Sequence, residues 1–301
     1  MVARGVITVR GEDRQRWLDG MLTCNVKQLG PGAGAHSLLL TPQGRIVSEL
    51  HVLQRGGEIW LETEASAIAA TIARLEKYVI ADDVSLSDAS REWARLALEG
   101  AGARALFAAC GGAAPAREHE VASSSIAGSE IVAARYGFTD AEALQLFVPR
   151  AHESAVTDAL VAAGAQLASA EELELRRIEA GTPWLGKELD ESVLPAEARL
   201  DGKAVALDKG CYTGQEVVAR MRSRGRLSHL LVGLRFAQGV LPAPRSPLGG
   251  ERGEVGSVTS AVRSPRFGAI GLGFVQAPLA EPGTKLRAGE LEAQVVALPF
   301  A

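Results

Sequence analysis

Beyond Arg226 the helical periodicity of this chain disappears, and that loss constrains the fold more than any other feature of the sequence. Residues 230–236, 254–262, 269–275 and 291–298 are extended runs separated by Gly and Pro turns, the pattern of a small all-β barrel of about 75 residues. The chain has 301 residues, more than one hydrophobic core usually organises, so further domains must precede the barrel.

The preceding segments alternate strands and helices. Residues 5–10 read as extended and 12–22 as a helix whose Trp17, Leu18, Met21 and Leu22 make one apolar face. Runs at 36–41 and 45–54 flank Pro42-Gln43-Gly44, which is hairpin chemistry. After the Gly56-Gly57 turn, 59–63 is a third strand and a helix follows over 65–78. A similar strand-then-helix unit recurs at 144–148 and 151–164, an echo that fits two related lobes or coincidence. Residues 111–129, rich in Ala, Gly, Ser and Pro, read as loop. Ser169 and Glu172 form a capping box, and Gly181 then Pro183 stop the helix they start. The fold class predicted is α+β, with two related α/β lobes at 1–90 and 91–225 and a C-terminal all-β barrel at 226–301.

Composition excludes several functions. A formal charge of −4 and a pI near 5.8 argue against nonspecific binding to nucleic acid or anionic membranes, and against direct tRNA binding. Cys24, Cys110 and Cys211 are far apart and in no metal-ligand spacing, so neither a disulfide framework nor a metal site is expected. The first residues run straight into Val6-Ile7-Thr8-Val9 without a signal-type segment, and no apolar run approaches the ~20 residues of a membrane span. A reducing compartment is expected: the cytoplasm, or the mitochondrial matrix in a eukaryote. Trp60, Trp93 and Trp184 are not interleaved with basic residues and read as packing, not as a base-stacking platform.

The stretch Lys209-Gly210-Cys211-Tyr212-Thr213-Gly214-Gln215-Glu216 reads as a site. Thr213 and Glu216 make a capping-box pattern, which places Cys211 near the positive end of a helix, where thiols ionise more easily. A small buried cysteine in an ordinary loop is the plain alternative. Glu179 lies in the last turn of its helix, where the dipole disfavours a carboxylate, so something else is expected to require it. A carboxylate suits a planar edge bearing an amino group beside a ring N–H; pairing with Arg176 or Arg177 would explain it equally well. Arg220, Arg222, Arg224 and Arg226 could hold a glutamyl tail or phosphate, or form a solvated face.

Together, the Arg-Ile-Glu-Ala-Gly ending at Gly181, the octapeptide and Gly256-Ser257-Val258-Thr259-Ser260 make the chain resemble the YgfZ/GcvT folate-binding family. Trp17-Leu18-Asp19-Gly20 and Thr41-Pro42-Gln43-Gly44-Arg45 extend the likeness to the first lobe. The Cys-containing octapeptide is most similar to the YgfZ branch and its mitochondrial iron–sulfur assembly relatives. The resemblance implies lobes around a central channel holding tetrahydrofolate, and a role in supporting iron–sulfur proteins, including tRNA-thiolating enzymes, with assembly factors or client enzymes as partners. It makes Glu179 the pterin carboxylate, Cys211 and Lys209 the reactive residues, and Tyr212, Gly214, Gln215, Glu216 and Arg220 the surrounding site. The other branch is the aminomethyltransferase of glycine cleavage, which has an acid in place of Cys211 and a pair of aspartates where this chain has Ser48-Glu49. Glu49 would keep the charge there but displace the carboxylate by more than about an ångström. Three functions therefore stand side by side: an iron–sulfur accessory protein, an aminomethyltransferase, and a folate-binding module without chemistry.

Overall fold

The computed structural model describes residues 4–139, 142–251 and 253–300. It divides into two compact units: the described residues of 1–40, 47–168 and 204–213 form the first, and those of 41–46, 169–203 and 214–301 the second.

The first unit is built on two sheets. β1 (Arg4–Arg10), α1 (Arg14–Met21), β2 (Gly34–Leu40), β3 (Ile46–Gln54), β4 (Ile59–Glu64), α2 (Ile68–Glu76) and β5 (Ser85–Asp88) come first, with strands ordered β2-β3-β4-β1-β5. β6 (Trp93–Leu98), α3 (Ala103–Ala109), β7 (Val121–Ile126), β8 (Ser129–Ala134), β9 (Leu144–Pro149) and α4 (Glu153–Ala162) follow, with an antiparallel sheet ordered β6-β9-β8-β7. Successive strand residues point to opposite faces. Ile7, Val9, Leu50, Val52, Ile59 and Leu61 therefore meet Trp17 and Leu18 of α1 and Ile68 and Leu75 of α2. Val6, Leu53 and Trp60, of opposite parity, pack on Val132, Ala134 and Phe147 of the second sheet, and Trp60 is core as expected. The far face of that sheet, with Ile131, Ala133, Leu144 and Leu146, is covered by Phe107 of α3 and by Val156 and Leu160 of α4. The layers run helix, sheet, sheet, helix.

The strand-then-helix echo is present in the backbone. β4 passes through a 3₁₀ turn at Ala65–Ala67 into α2, and β9 through one at Arg150–His152 into α4. The helix predicted over 65–78 opens as the Ala65–Ala67 3₁₀ turn and is α-helical over Ile68–Glu76, with no side-chain cap at Ala67. The loop predicted over 111–129 contains β7. Its Ser-rich sequence hid a strand at the edge of the sheet, and the turn to β8 places Ala127 and Gly128 at φ of 50° and 75° without the usual Asn-Gly signal.

In the second unit α5 (Ala170–Ala180) and α6 (Gln215–Arg224) accompany a closed barrel of β10 (His229–Phe236), β11 (Pro247–Gly250), β12 (Gly253–Ser264), β13 (Gly268–Gln276), β14 (Lys285–Ala288) and β15 (Leu291–Val296). Pairing of β10 with both β13 and β15 closes the ring, so these two strands expose no edge. Val232, Leu234, Phe236, Val258, Val275 and Val295 fill the interior. Ile178 of α5 packs outside, on Leu231, Ile270, Leu272 and Phe300. β12 and β13 approach so closely at Gly256 that an added Cβ would lie 2.0 Å from the Phe274 carbonyl oxygen. The four-residue strands β11 and β14 are too short for periodicity to reveal.

Ser169 caps α5 as predicted: its Oγ accepts from Glu172 N–H at 3.1 Å and Glu172 Oε2 accepts from Ser169 N–H at 2.7 Å, while Gly181 ends the helix at φ 69°. The capping box predicted at Thr213 and Glu216 does not form. Gly214 takes the N-cap of α6 at φ 85°, leaving Thr213 one residue outside the helix with its N–H on Gly20 O.

Arg177 ties α5 to the barrel. Its guanidinium is fully buried, forks onto Glu174 at 2.6 and 2.7 Å, and reaches Glu188 at 3.0 Å and Ser260 Oγ at 2.5 Å over the face of Trp184. Removing one member of such a network strands the others in low dielectric. Arg177→Met should therefore cost roughly 3–5 kcal/mol of the second unit's stability in urea denaturation; a loss below ~1 kcal/mol would show that Glu188 finds solvent instead.

Candidate functional site

The same period-two alternation that builds the two-sheet core sets a charge cluster inside it. Arg4 of β1, Glu49 and His51 of β3, and Glu62 and Glu64 of β4 share the face turned to the second sheet, with Arg4 opposite Glu64 and Glu62 opposite both Val6 and His51. Arg4 meets Glu62 at 2.5 and 2.7 Å, Glu64 at 3.1 Å and Glu49 Oε2 at 3.2 Å. Arg95 of β6 lies 2.8 Å from Glu62. The other oxygen of Glu49 receives His36 Nε2 at 2.8 Å and lies 3.4 Å from His51 Nε2, and the His51 ring stacks on Tyr136 at 3.9 Å.

Burial alone would raise the Glu49 carboxyl, but the Arg4 guanidinium and the His36 and His51 hydrogen bonds outweigh it and hold it well below the usual carboxylate range. Burial pushes His51 down to about 4, against the pull of Glu49. Near neutral pH the cluster therefore contains an ionised Glu49 beside a neutral His51. Ser48, its neighbour, is fully buried, and its hydroxyl is taken up by Thr63 at 3.1 Å and Thr71 at 3.1 Å.

The first half of the octapeptide also belongs to the first unit. Lys209 Nζ donates to the carbonyls of Asp19, Leu22 and Cys24 at 2.6, 2.7 and 2.6 Å, using all three protons to close the C-terminal end of α1. Its ammonium stands 5.1 Å from the Tyr212 ring, which is buried. Lys209 thus anchors the loop. Cys211, between them, is exposed, whereas Cys24 is buried and its thiol pushed up by burial. Glu49 shares no hydrogen bond with any octapeptide residue among the described residues.

Glu179, Gly214, Gln215, Glu216 and Arg220 belong to the second unit. Glu179 is 7% exposed and makes no ion pair among the described residues; Arg177 is engaged by Glu174 and Glu188 instead. One carboxylate oxygen accepts from Ser264 Oγ at 2.6 Å, and Ser264 Oγ in turn accepts the N–H groups of Arg266 and Phe267 at 3.0 Å each. The other oxygen has no described partner. A buried carboxylate with one oxygen steadied and one free is equipped to accept from a ligand edge with adjacent N–H donors. Gly214 and Gln215 shape the first turn of α6; Glu216, Arg220 and Arg222 are exposed, the two arginines without an acidic partner among the described residues.

Arg4, His36 and His51 escaped the sequence reading. The i, i+2 spacing of Glu49 and His51 put two ionisable groups on one strand face. Nothing local linked that face to Arg4 or His36, which reach it through sheet pairing.

The first unit is an α+β sandwich, and the second holds a closed barrel and a buried carboxylate, Glu179, that makes no ion pair among the described residues. Residues 2–209 match the model of the GCVT N-terminal domain, and 230–301 that of the glycine cleavage T-protein C-terminal barrel domain. The chain belongs to the glycine cleavage T-protein family. It is 31% identical to a protein named aminomethyltransferase from Rubrobacter xylanophilus over 98% of this chain and 80% of the relative, and 30% identical to one from Saccharopolyspora erythraea over 98% and 84%. The crystal structure of glycine cleavage system aminomethyltransferase T from Bartonella henselae superposes with a TM-score of 0.88 at 22% identity, covering 99% of this chain and 84% of that one, which shows a common fold. Among the described residues no helix is long and apolar enough to cross a membrane.

A depressed imidazole pKa makes stability pH-dependent. The unfolded His51 takes up its proton near pH 6.5 and the folded one only near 4, so native stability is lost as pH falls between these values; the depressed Glu49 pulls the same way below 4.5. Urea denaturation should show the first unit weakening by roughly 2 kcal/mol from pH 7 to 4.5. His51→Gln should flatten that slope, and an unchanged slope would contradict the assignment.

Proposed function

We propose that the protein binds a reduced folate, tetrahydrofolate or a one-carbon derivative, and works in the aminomethyltransferase class of folate-dependent one-carbon transfer. The observation that carries this is Glu179: buried, without an ion pair among the described residues although Arg176 and Arg177 lie three and two positions before it, and with one oxygen fixed by Ser264. The near full-length likeness to relatives named aminomethyltransferase supports the reaction class. Bound tetrahydrofolate would supply the ring and side-chain amine nitrogens that accept a one-carbon unit. Glu179 accepts from the amino group and adjoining ring N–H of the pterin, which fixes the ring and discriminates against ligands lacking that edge. Glu49, kept ionised by Arg4, provides negative charge of the kind that favours a cationic one-carbon donor. Ser48 takes no part because its hydroxyl is committed inside the core. Arg220, exposed and without an acidic partner among the described residues, suits the carboxylates of a glutamyl tail.

A second reading is favoured by one feature, the exposed Cys211 at the octapeptide position where aminomethyltransferases carry an acid. In it the protein is a cytoplasmic folate-binding accessory factor of the YgfZ type that supports iron–sulfur cluster assembly or repair, and through it tRNA-thiolating enzymes. Its partners would be assembly factors or client enzymes, because one thiol cannot hold a four-thiolate cluster alone.

Calorimetry with tetrahydrofolate tests what both readings share. Glu179→Gln should weaken binding by roughly 10–100-fold, since a charge-assisted pair is worth about 1.5–3 kcal/mol; equal affinity would remove Glu179 from the site. Turnover separates the two. Methylene-tetrahydrofolate formed from a lipoyl-bound aminomethyl donor, and lost in Glu49→Ala, selects the transferase. No turnover, with Cys211→Ser failing to rescue cluster-dependent enzymes in depleted cells, selects the accessory factor; full rescue by that variant excludes a role for the thiol.

A further inference from the structure

Folate chemistry uses the charge of Glu49 but leaves the two histidines against it unexplained. His36, Glu49 and His51 each offer a ligand atom, and these atoms lie within 4.8 Å of one another. The two histidine-to-carboxylate separations, 2.8 and 3.4 Å, resemble the roughly 3–3.5 Å between ligands that share an ion at ~2.1 Å. Charge balance points the same way. Arg4 and Arg95 bring two positive charges to three carboxylates, and their shortest carboxylate contacts, 2.5 and 2.8 Å, go to Glu62. One negative charge is left over. Of the three carboxylates, Glu49 has the longest guanidinium contact, 3.2 Å on Oε2, and its Oε1 faces two imidazole nitrogens instead of a cation.

We propose that His36 Nε2, His51 Nε2 and Glu49 Oε1 bind a divalent transition-metal ion of the zinc, cobalt or iron(II) type. Two imidazoles and one carboxylate suit these metals and leave coordination positions open to water or substrate. Arg4 on Oε2 then acts as the outer partner that orients the ligating carboxylate. The His36 and His51 planes are within 12° of parallel with centroids 4.8 Å apart, so closing the shell requires one ring to rotate. His36, 15% exposed at the rim of the cluster, is the ring free to do so and gives the ion its way in. The site stands independently of the folate reading, and an ion bound here would neutralise Glu49, so the metal-loaded protein would not offer that charge to a cationic one-carbon donor.

The test uses the full chain with Cys211→Ser, so that the exposed thiol cannot supply the ligand. After treatment with chelator, the protein is titrated with Co²⁺ and with Zn²⁺ by calorimetry, and the visible absorption of bound cobalt is recorded. One ion per chain is expected, with affinity lowered at least about tenfold in His36→Ala, whose folding is checked by thermal melting. Glu49→Gln, which keeps the side-chain volume, should lower it likewise and alter the cobalt spectrum. No uptake by the Cys211→Ser protein, or equal uptake by both variants, would overturn the site.

Discussion

The contact of Arg4 with three carboxylates, inside the layer where two sheets meet, is the interaction on which the first unit depends. Two aliphatic sheet faces would pack there without help; five charged side chains of Arg4, Glu49, Glu62, Glu64 and Arg95 require that every partner be in register. A one-residue slip of β1 against β4 would turn Arg4 away and bury the carboxylates unpaired. The cluster therefore specifies the alignment that the surrounding Val, Leu and Trp residues could satisfy in several ways. It also keeps Glu49 ionised within that layer.

The second unit solves the parallel problem at Arg177, whose partners Glu174, Glu188 and Ser260 come from a helix, a loop and a barrel strand. Because Arg177 is spoken for, Glu179 two residues later meets no cation among the described residues. Its remaining anchor, Ser264, stands at the end of β12 and gives it one proton. The helix dipole that disfavours a carboxylate at this point is thus opposed by a single hydroxyl, and the free oxygen is left for a ligand.

Much of this was legible before any coordinates. The barrel, the first hairpin, the Ser169 cap and the Gly181 stop follow from period and turn chemistry, which are local. β7 escaped because a serine-rich edge strand has loop composition, and the α6 start because a left-handed glycine displaced the capping threonine. Among the site residues, Glu179 and the octapeptide stood out through position and spacing. The role of Lys209 as the anchor of α1 did not, since its three carbonyl partners lie some 185 to 190 positions earlier in the chain. Arg4 and His36 were hidden for the same reason: strand pairing, not sequence proximity, brings them to Glu49 and to His51, its neighbour on the same strand face.

The carboxylate of Glu179 as the pterin grip is the claim the functional account rests on, and a crystal structure grown with tetrahydrofolate tests it most directly. The account predicts the amino group and ring N–H of the pterin within about 3 Å of the two Glu179 oxygens, with Ser264 still donating to one of them. A folate bound with its pterin away from Glu179, or saturating folate leaving that carboxylate bare, would contradict it.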